Sequence, residues 1–83
     1  MMVFDDIAKR RIRFQTRRGL LELDILLERF METEFDRLID AELAVLVEIL
    51  DLPDQEFLAI LNGKEAAPNP LFVPLLEKIR SAV

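Results

Sequence analysis

The feature that most constrains the fold is an apolar stripe at helical spacing between residues 20 and 38. At about 100° per residue, its members lie on one side of a helix. They are Leu20, Leu23, Leu27, Phe30, Met31, Phe35 and Leu38. The alternation of apolar and polar residues that is typical of a strand does not persist anywhere in the chain. The stripe therefore predicts a long helix, the second of the chain, from about Leu20 to Leu38.

One acidic residue, Glu34, lies inside this stripe. An unpaired carboxylate in an apolar core is too costly to be tolerated. Two alternatives follow: the helix bends or ends near Thr33, or Glu34 meets a buried cation. The spacing alone leaves both alternatives open.

Four further helices are predicted from caps, prolines and apolar periodicity. They run from a cap at Asp5 or Asp6 to about Thr16, from about Ala41 to Asp51 with Asp40 as the cap, from Pro53 to Asn62, and from about Leu71 to Ser81. Residues 64–70 are predicted to form a loop. A chain of 83 residues is expected to form one domain at most. The expected fold is all-α, a compact bundle of five short helices, with residues 1–83 as a single helical domain.

The inward faces of the last three helices can be predicted as well. Their expected core residues are Leu43, Leu46, Val47, Leu50, Phe57, Leu58, Ile60, Leu61, Leu75, Leu76 and Ile79. On the first helix, Phe4, Ile7 and Phe14 share one face, and Arg10, Arg13 and Arg17 follow a neighbouring one. That basic stripe is interpreted as a solvated flank or as a contact for an acidic partner or a nucleic acid.

The composition excludes most catalytic chemistry. The chain has no histidine, cysteine, tyrosine or tryptophan, so it lacks the commonest general base and the commonest metal ligands. Ser81 is the only serine, and no glycine-rich phosphate loop is present. We therefore expect no enzyme, no catalytic residue and no metal site. The many carboxylates of the second helix are interpreted as a solvated acidic face.

The charge and the hydropathy of the chain indicate which partners and which location to expect. The net charge is −5, yet six of the eleven basic residues precede Gly19. The overall acidity argues against nucleic acid as the main target. The first six residues lack the apolar core of a signal peptide, and no apolar run approaches the roughly 20 residues that span a bilayer. We expect a cytoplasmic protein without membrane insertion.

The most function-like residues lie at the break between the first two helices, where Gly19 interrupts the periodicity. A structural interpretation is that Gly19 ends the first helix in the left-handed conformation, Arg17 or Arg18 binds helix carbonyls, and Glu22 pairs with a nearby arginine. A functional interpretation is that Arg18 and Glu22 flank a tight turn and present opposite charges to a partner's cleft. Gly19 would then permit close backbone approach.

At these residues the chain resembles the SdhE family, whose mitochondrial relatives are the succinate dehydrogenase flavinylation factors. The family's Arg-Gly-x-x-Glu motif is matched by Arg18, Gly19 and Glu22, and Arg17 and Asp24 extend the match. Residues 30–35 resemble the family's Phe-x-Glu-x-Glu-aromatic segment, and residues 54–61 resemble its fourth-helix segment. The resemblance covers nearly the whole chain and is loosest from residue 64 to residue 73.

The resemblance implies a five-helix FAD assembly factor. Such factors promote covalent attachment of FAD to a histidine of the flavoprotein subunit of succinate dehydrogenase, and in some bacteria of fumarate reductase. FAD is then the partner's cofactor, and none is expected to be bound stably here. Carried onto this sequence, the partner-binding residues are Arg17, Arg18, Gly19, Glu22 and Asp24. The alternative that the resemblance offers is a small antitoxin-like or regulatory protein-binding module.

Overall fold

The computed structural model describes residues 4–81, and its five helices follow the predicted order. Their bounds are α1 Asp6–Gln15, α2 Leu21–Thr33, α3 Asp40–Leu50, α4 Asp54–Leu61 and α5 Val73–Ser81. Short 3₁₀ turns at Phe35–Arg37 and Pro70–Phe72 follow α2 and precede α5. Residues 4–81 contain no strand, so the all-α prediction is confirmed. The first six residues are expected to lack a signal-peptide core, and residues 1–3 of them lie outside the described residues.

The starts of α1 and α3 are stabilised in different ways. At α1, Asp5 is the N-cap rather than the alternative Asp6, because the Asp5 Oδ1 accepts the backbone N–H of Ala8 at 2.8 Å. At α3, the prediction that Asp40 caps the helix is wrong: Asp40 is the first helical residue and Ile39 holds the cap position. Isoleucine has no side-chain acceptor for a backbone N–H of the first turn. The capping contact is instead the hydrogen bond that the Ile39 backbone N–H donates to Glu42 Oε1 at 3.2 Å.

The conflict at Glu34 is resolved by the end of α2 at Thr33. The predicted extension to Leu38 is therefore wrong, and the last part of the apolar stripe forms a separate 3₁₀ turn. This change of geometry returns Phe35 and Leu38 to the core while Glu34 stays half-buried. Because Glu34 is not fully buried, it needs no cation inside the core.

The core is built around α2, which packs against α4 and α5, while α3 packs on α5. Its buried members are Ile12, Leu23, Leu27, Phe30, Phe35, Leu38, Leu43, Leu46, Ile49, Leu50, Phe57, Ile60, Leu61, Phe72, Leu75, Leu76 and Ile79. The Cα radius of gyration is 11.9 Å, close to the roughly 12 Å of a compact chain of this length. The described residues thus form a compact globule.

Several details of the predicted core differ from the structure. Val47 and Leu58 are only half-buried, and Ile49 is buried although it was not predicted. On α1 the apolar face remains open: Ile12 is the buried residue, whereas Phe14 is 67% exposed. Helical spacing places residues on a face, but neighbouring helices decide how much of that face is covered.

Candidate partner-binding site

The loop that joins α1 to α2, residues 16–20, contains most of the predicted site. Gly19 has φ +77°, so its predicted left-handed conformation is confirmed. Its predicted role as the stop of the first helix is wrong, because α1 ends at Gln15 and Thr16 is the C-cap. The Thr16 hydroxyl donates to the carbonyl of Arg13 at 2.6 Å, which satisfies that helix end without a glycine. Gly19 instead directs the chain into α2.

The side chain of Arg18 is the centre of the loop's contacts. Its Nε donates to Asp54 Oδ1 at 2.6 Å, its Nη1 to the Leu50 carbonyl and its Nη2 to the Leu52 carbonyl. The guanidinium also lies 5.8 Å from the centre of the Phe57 ring. The side chain is only 12% exposed. Arg18 therefore fastens the α1–α2 loop to the connection between α3 and α4.

The three acceptors of Arg18 lie between the end of α3 and the start of α4. The last carbonyls of a helix lack intrahelical donors and carry partial negative charge, and Leu50 is the last residue of α3. Asp54 adds a full negative charge at the first residue of α4. A planar guanidinium with several fixed donors matches such a set better than an ammonium does. The structural interpretation is thus correct that an arginine binds a helix carbonyl, although this carbonyl is that of Leu50 in α3 and the second one, of Leu52, lies in the α3–α4 connection.

Asp24 secures the same loop from the other side. Its Oδ1 accepts the backbone N–H of Arg18 at 2.8 Å. Asp24 lies in the first turn of α2 and is half-buried. Arg18 is therefore held twice, by its side chain to the α3–α4 connection and by its main chain to α2.

The expectation that Arg18 and Glu22 form an exposed pair of opposite charges is wrong. Arg18 points into the bundle, whereas Glu22 is exposed on α2. Within residues 4–81, Glu22 makes no side-chain hydrogen bond or ion pair. Three convergent acceptors attract Arg18 more strongly than one solvated carboxylate can. The exposed members of the predicted site are Arg17, Gly19 and Glu22, which we call the motif surface.

A shallow depression of about 490 Å³ lies beside the motif surface. Its lining consists of Arg13, Thr16, Arg17, Asp24, Glu28, Met31 and Glu32. The α1 side of the depression is basic and the α2 side is acidic. Arg13 is further held by Asp36 at 3.5 Å and stacks 4.9 Å from the Phe35 ring centre. A surface with both signs of charge fits a polypeptide of mixed charge.

Clustered metal-ligand side chains and unpaired buried polar side-chain atoms are both absent from residues 4–81. Residues 4–81 hold no group of three or more Asp, Glu, His or Cys side chains arranged to bind a metal. Every buried side-chain nitrogen or oxygen in that range has a hydrogen-bond partner. No described helix combines the length and the apolar character needed to cross a bilayer.

Asp54 is the residue of this region whose role the sequence did not predict. Arg80 was missed in the same way: its Nε and Nη2 donate to the carbonyls of Leu61 and Ile60 at 2.9 and 2.7 Å. Both contacts join residues far apart in the chain, so no local pattern contains them. The one available signal was the match of residues 54–61 to the family's fourth-helix segment.

Fold and site together define a small all-α protein whose α1–α2 loop is held by the inward-pointing side chain of Arg18. A family model described as "Flavinator of succinate dehydrogenase" matches residues 10–83. The FAD assembly factor SdhE of Coxiella burnetii is 38% identical over 76 residues, which cover 92% of this chain and 93% of the relative. That of Legionella pneumophila strain Paris is 39% identical over 67 residues, 81% and 85% of the two chains. The chain belongs to this family of FAD assembly factors, as its motif residues indicated.

Proposed function

We propose that this protein binds the flavoprotein subunit of succinate dehydrogenase and promotes the covalent attachment of FAD to that subunit. The observation that carries the proposal is the family match along residues 10–83. The chain has no histidine of its own that could carry the flavin, so the bond would form on the partner. In this proposal FAD belongs to the partner, and the protein acts in the cytoplasm. The flavoprotein subunit of fumarate reductase is a second client.

The motif surface is proposed as the part that touches the partner. Arg17 and Glu22 are exposed and have opposite charges. A Cβ built on Gly19 would meet nothing within 4 Å, so the space beside this backbone is open to a partner. Arg18 and Asp24 hold the α1–α2 loop in place, Arg18 through its bond to Asp54 and Asp24 through its bond to the Arg18 N–H. The protein's contribution is then to hold the immature subunit in a conformation in which the subunit's own groups complete the bond.

The test combines the purified flavoprotein subunit, FAD and this protein, and measures covalent flavin by fluorescence on a denaturing gel. Glu22→Ala is expected to weaken subunit binding about tenfold, which corresponds to one lost hydrogen bond of a charged group. Glu48→Ala is the matched control, because Glu48 is an exposed glutamate on α3. Covalent flavin that forms equally well without this protein would refute the proposal.

The two glycines allow a second comparison. Gly19 and Gly63 both have φ +77°, and both have open space where a side chain would extend. Replacing either by alanine is expected to cost about 1 kcal/mol of folding stability, since alanine is strained at positive φ. Gly19→Ala alone should also reduce flavinylation. Equal flavinylation by both variants would mean that Gly19 does not take part in partner binding.

A further inference from the structure

We propose that Asp54 is a positioning residue for partner binding: acting through Arg18, its carboxylate fixes the α1–α2 loop so that the motif surface is presented in its binding conformation. The effect of Asp54 on binding of the flavoprotein subunit rests on the proposed function. Asp54 lies outside the Arg-Gly-x-x-Glu motif and 36 positions from Arg18 in the chain.

The first step is the electrostatics of the Arg18 side chain. The Arg18 side chain is 12% exposed, so its charged group has lost most of its hydration. Two of its three acceptors are neutral carbonyls, those of Leu50 and Leu52. Asp54, at 2.6 Å from Nε, supplies the full negative charge. A charge removed from water is tolerated when it is paired and hydrogen-bonded, so Asp54 favours the inward conformation of Arg18.

The second step is the rigidity of the anchor. Asp54 is the first residue of α4, and three residues later Phe57 is fully buried. The carboxylate therefore extends from an element that the core holds in place. By contrast, Arg17 and Gly19 in the loop are exposed, and half-buried Leu20 supplies the loop's packing against the core. Besides the backbone bond from the Arg17 N–H to the Phe14 carbonyl at 3.2 Å, the polar contacts of Arg18 restrain the exposed part of the loop.

The third step connects this restraint to the motif surface. Gly19 follows Arg18 directly, and the Arg18 N–H is bonded to Asp24 in the first turn of α2. Glu22 lies in that same turn. If the Arg18 side chain is released, the backbone bond to Asp24 weakens with it, and the loop can move relative to Glu22. A partner that contacts both sides of the turn would then have to order the loop on binding.

Binding of the flavoprotein subunit, measured by titration calorimetry, tests the coupling. Asp54→Ala is expected to weaken binding about tenfold, the effect of one charged hydrogen bond, and Arg18→Ala by at least as much, because it also removes the bonds to two carbonyls. The double variant should bind no more weakly than Arg18→Ala alone, because both substitutions release the same contact. Asp51→Ala, an exposed acid in the same connection, is the control and should bind like the wild type. Additive losses would mean that Asp54 touches the partner itself and would overturn the proposal.

Amide hydrogen exchange of the free protein tests the loop without any partner. In Asp54→Ala, the Arg18 amide should exchange about tenfold faster, while helical amides of Leu27 and Leu46 keep their wild-type rates. Asp54→Asn retains an oxygen acceptor and should restore part of the protection. Unchanged exchange at Arg18, or equal acceleration at all three amides, would overturn the positioning role. If the wild-type protein fails to bind the subunit, the proposed function fails, and the exchange experiment still decides the role of Asp54.

Discussion

Replacing Arg18 by alanine should destabilise the protein more than any other single change at a charged residue of the motif. The substitution removes three hydrogen bonds from a charged donor, those to Asp54 and to the carbonyls of Leu50 and Leu52. Bonds to charged groups contribute about 1.5–3 kcal/mol each when buried. Asp54 is 38% exposed and water can partly replace the arginine, so the expected loss is about 2–4 kcal/mol. A chain of this length has roughly 4–12 kcal/mol of folding stability in total.

Urea denaturation followed by far-ultraviolet circular dichroism is the appropriate assay, because the chain has neither tryptophan nor tyrosine to report by fluorescence. Arg17→Ala is the matched control: Arg17 is exposed and should change the free energy of unfolding by less than about 0.5 kcal/mol. Arg18→Lys keeps the charge but loses the planar fork and should lie between the two. If Arg18→Ala is as stable as Arg17→Ala, the inward contacts do not stabilise the fold and the reasoning is refuted.

Two further predictions concern the remainder of the bundle. Phe30→Ala, at a side chain with 0% exposure, should cost about 3–5 kcal/mol in urea denaturation, and a loss as small as that of exposed Phe14→Ala would contradict the assigned core. The pKa of Glu42 is held below its usual value of 4.5 by the Lys78 ammonium, 3.0 Å away, and by the Ile39 N–H. The ionised Glu42 carboxylate therefore stabilises the fold fully above pH 4.5, and this stabilisation is lost as the pH falls through the lowered pKa of the folded state. Glu42→Gln should accordingly reduce stability at pH 7, and this effect should shrink as the pH falls below 4.5; an effect that does not change with pH would contradict the ion pair.

The regular elements could be predicted because their causes are local. Helical spacing, the Asp5 cap and the conflict at Glu34 all operate within a few residues, so α1 and the two alternatives for the end of α2 follow from the sequence. The alternatives at Glu34 could not be decided in the same way. Whether a carboxylate at that position is buried depends on what packs over it, and the structure resolves this by ending α2 at Thr33.

The residues of the candidate site could be named from the sequence, and their binding role stays a prediction, whereas their geometry could not be foreseen. The motif residues themselves could be identified by resemblance, and the left-handed Gly19 by its residue type. The orientation of Arg18 could not, because two competing interactions were available to it. A solvated carboxylate four residues away, on Glu22, competes with a carboxylate and two carbonyls more than thirty residues away. Only the fold brings the second set within reach.

By itself the sequence determined an all-α chain with five helices, the absence of histidine and cysteine chemistry, and the stretch from Arg17 to Asp24 as the region of interest. These properties depend on residue type and on periodicity, which are local. The tertiary structure decided that Arg18 points inward to Asp54 and that Glu22 remains exposed. The physical reason is that the carbonyls at the end of α3 and the carboxylate at the start of α4 converge only after the helices have packed.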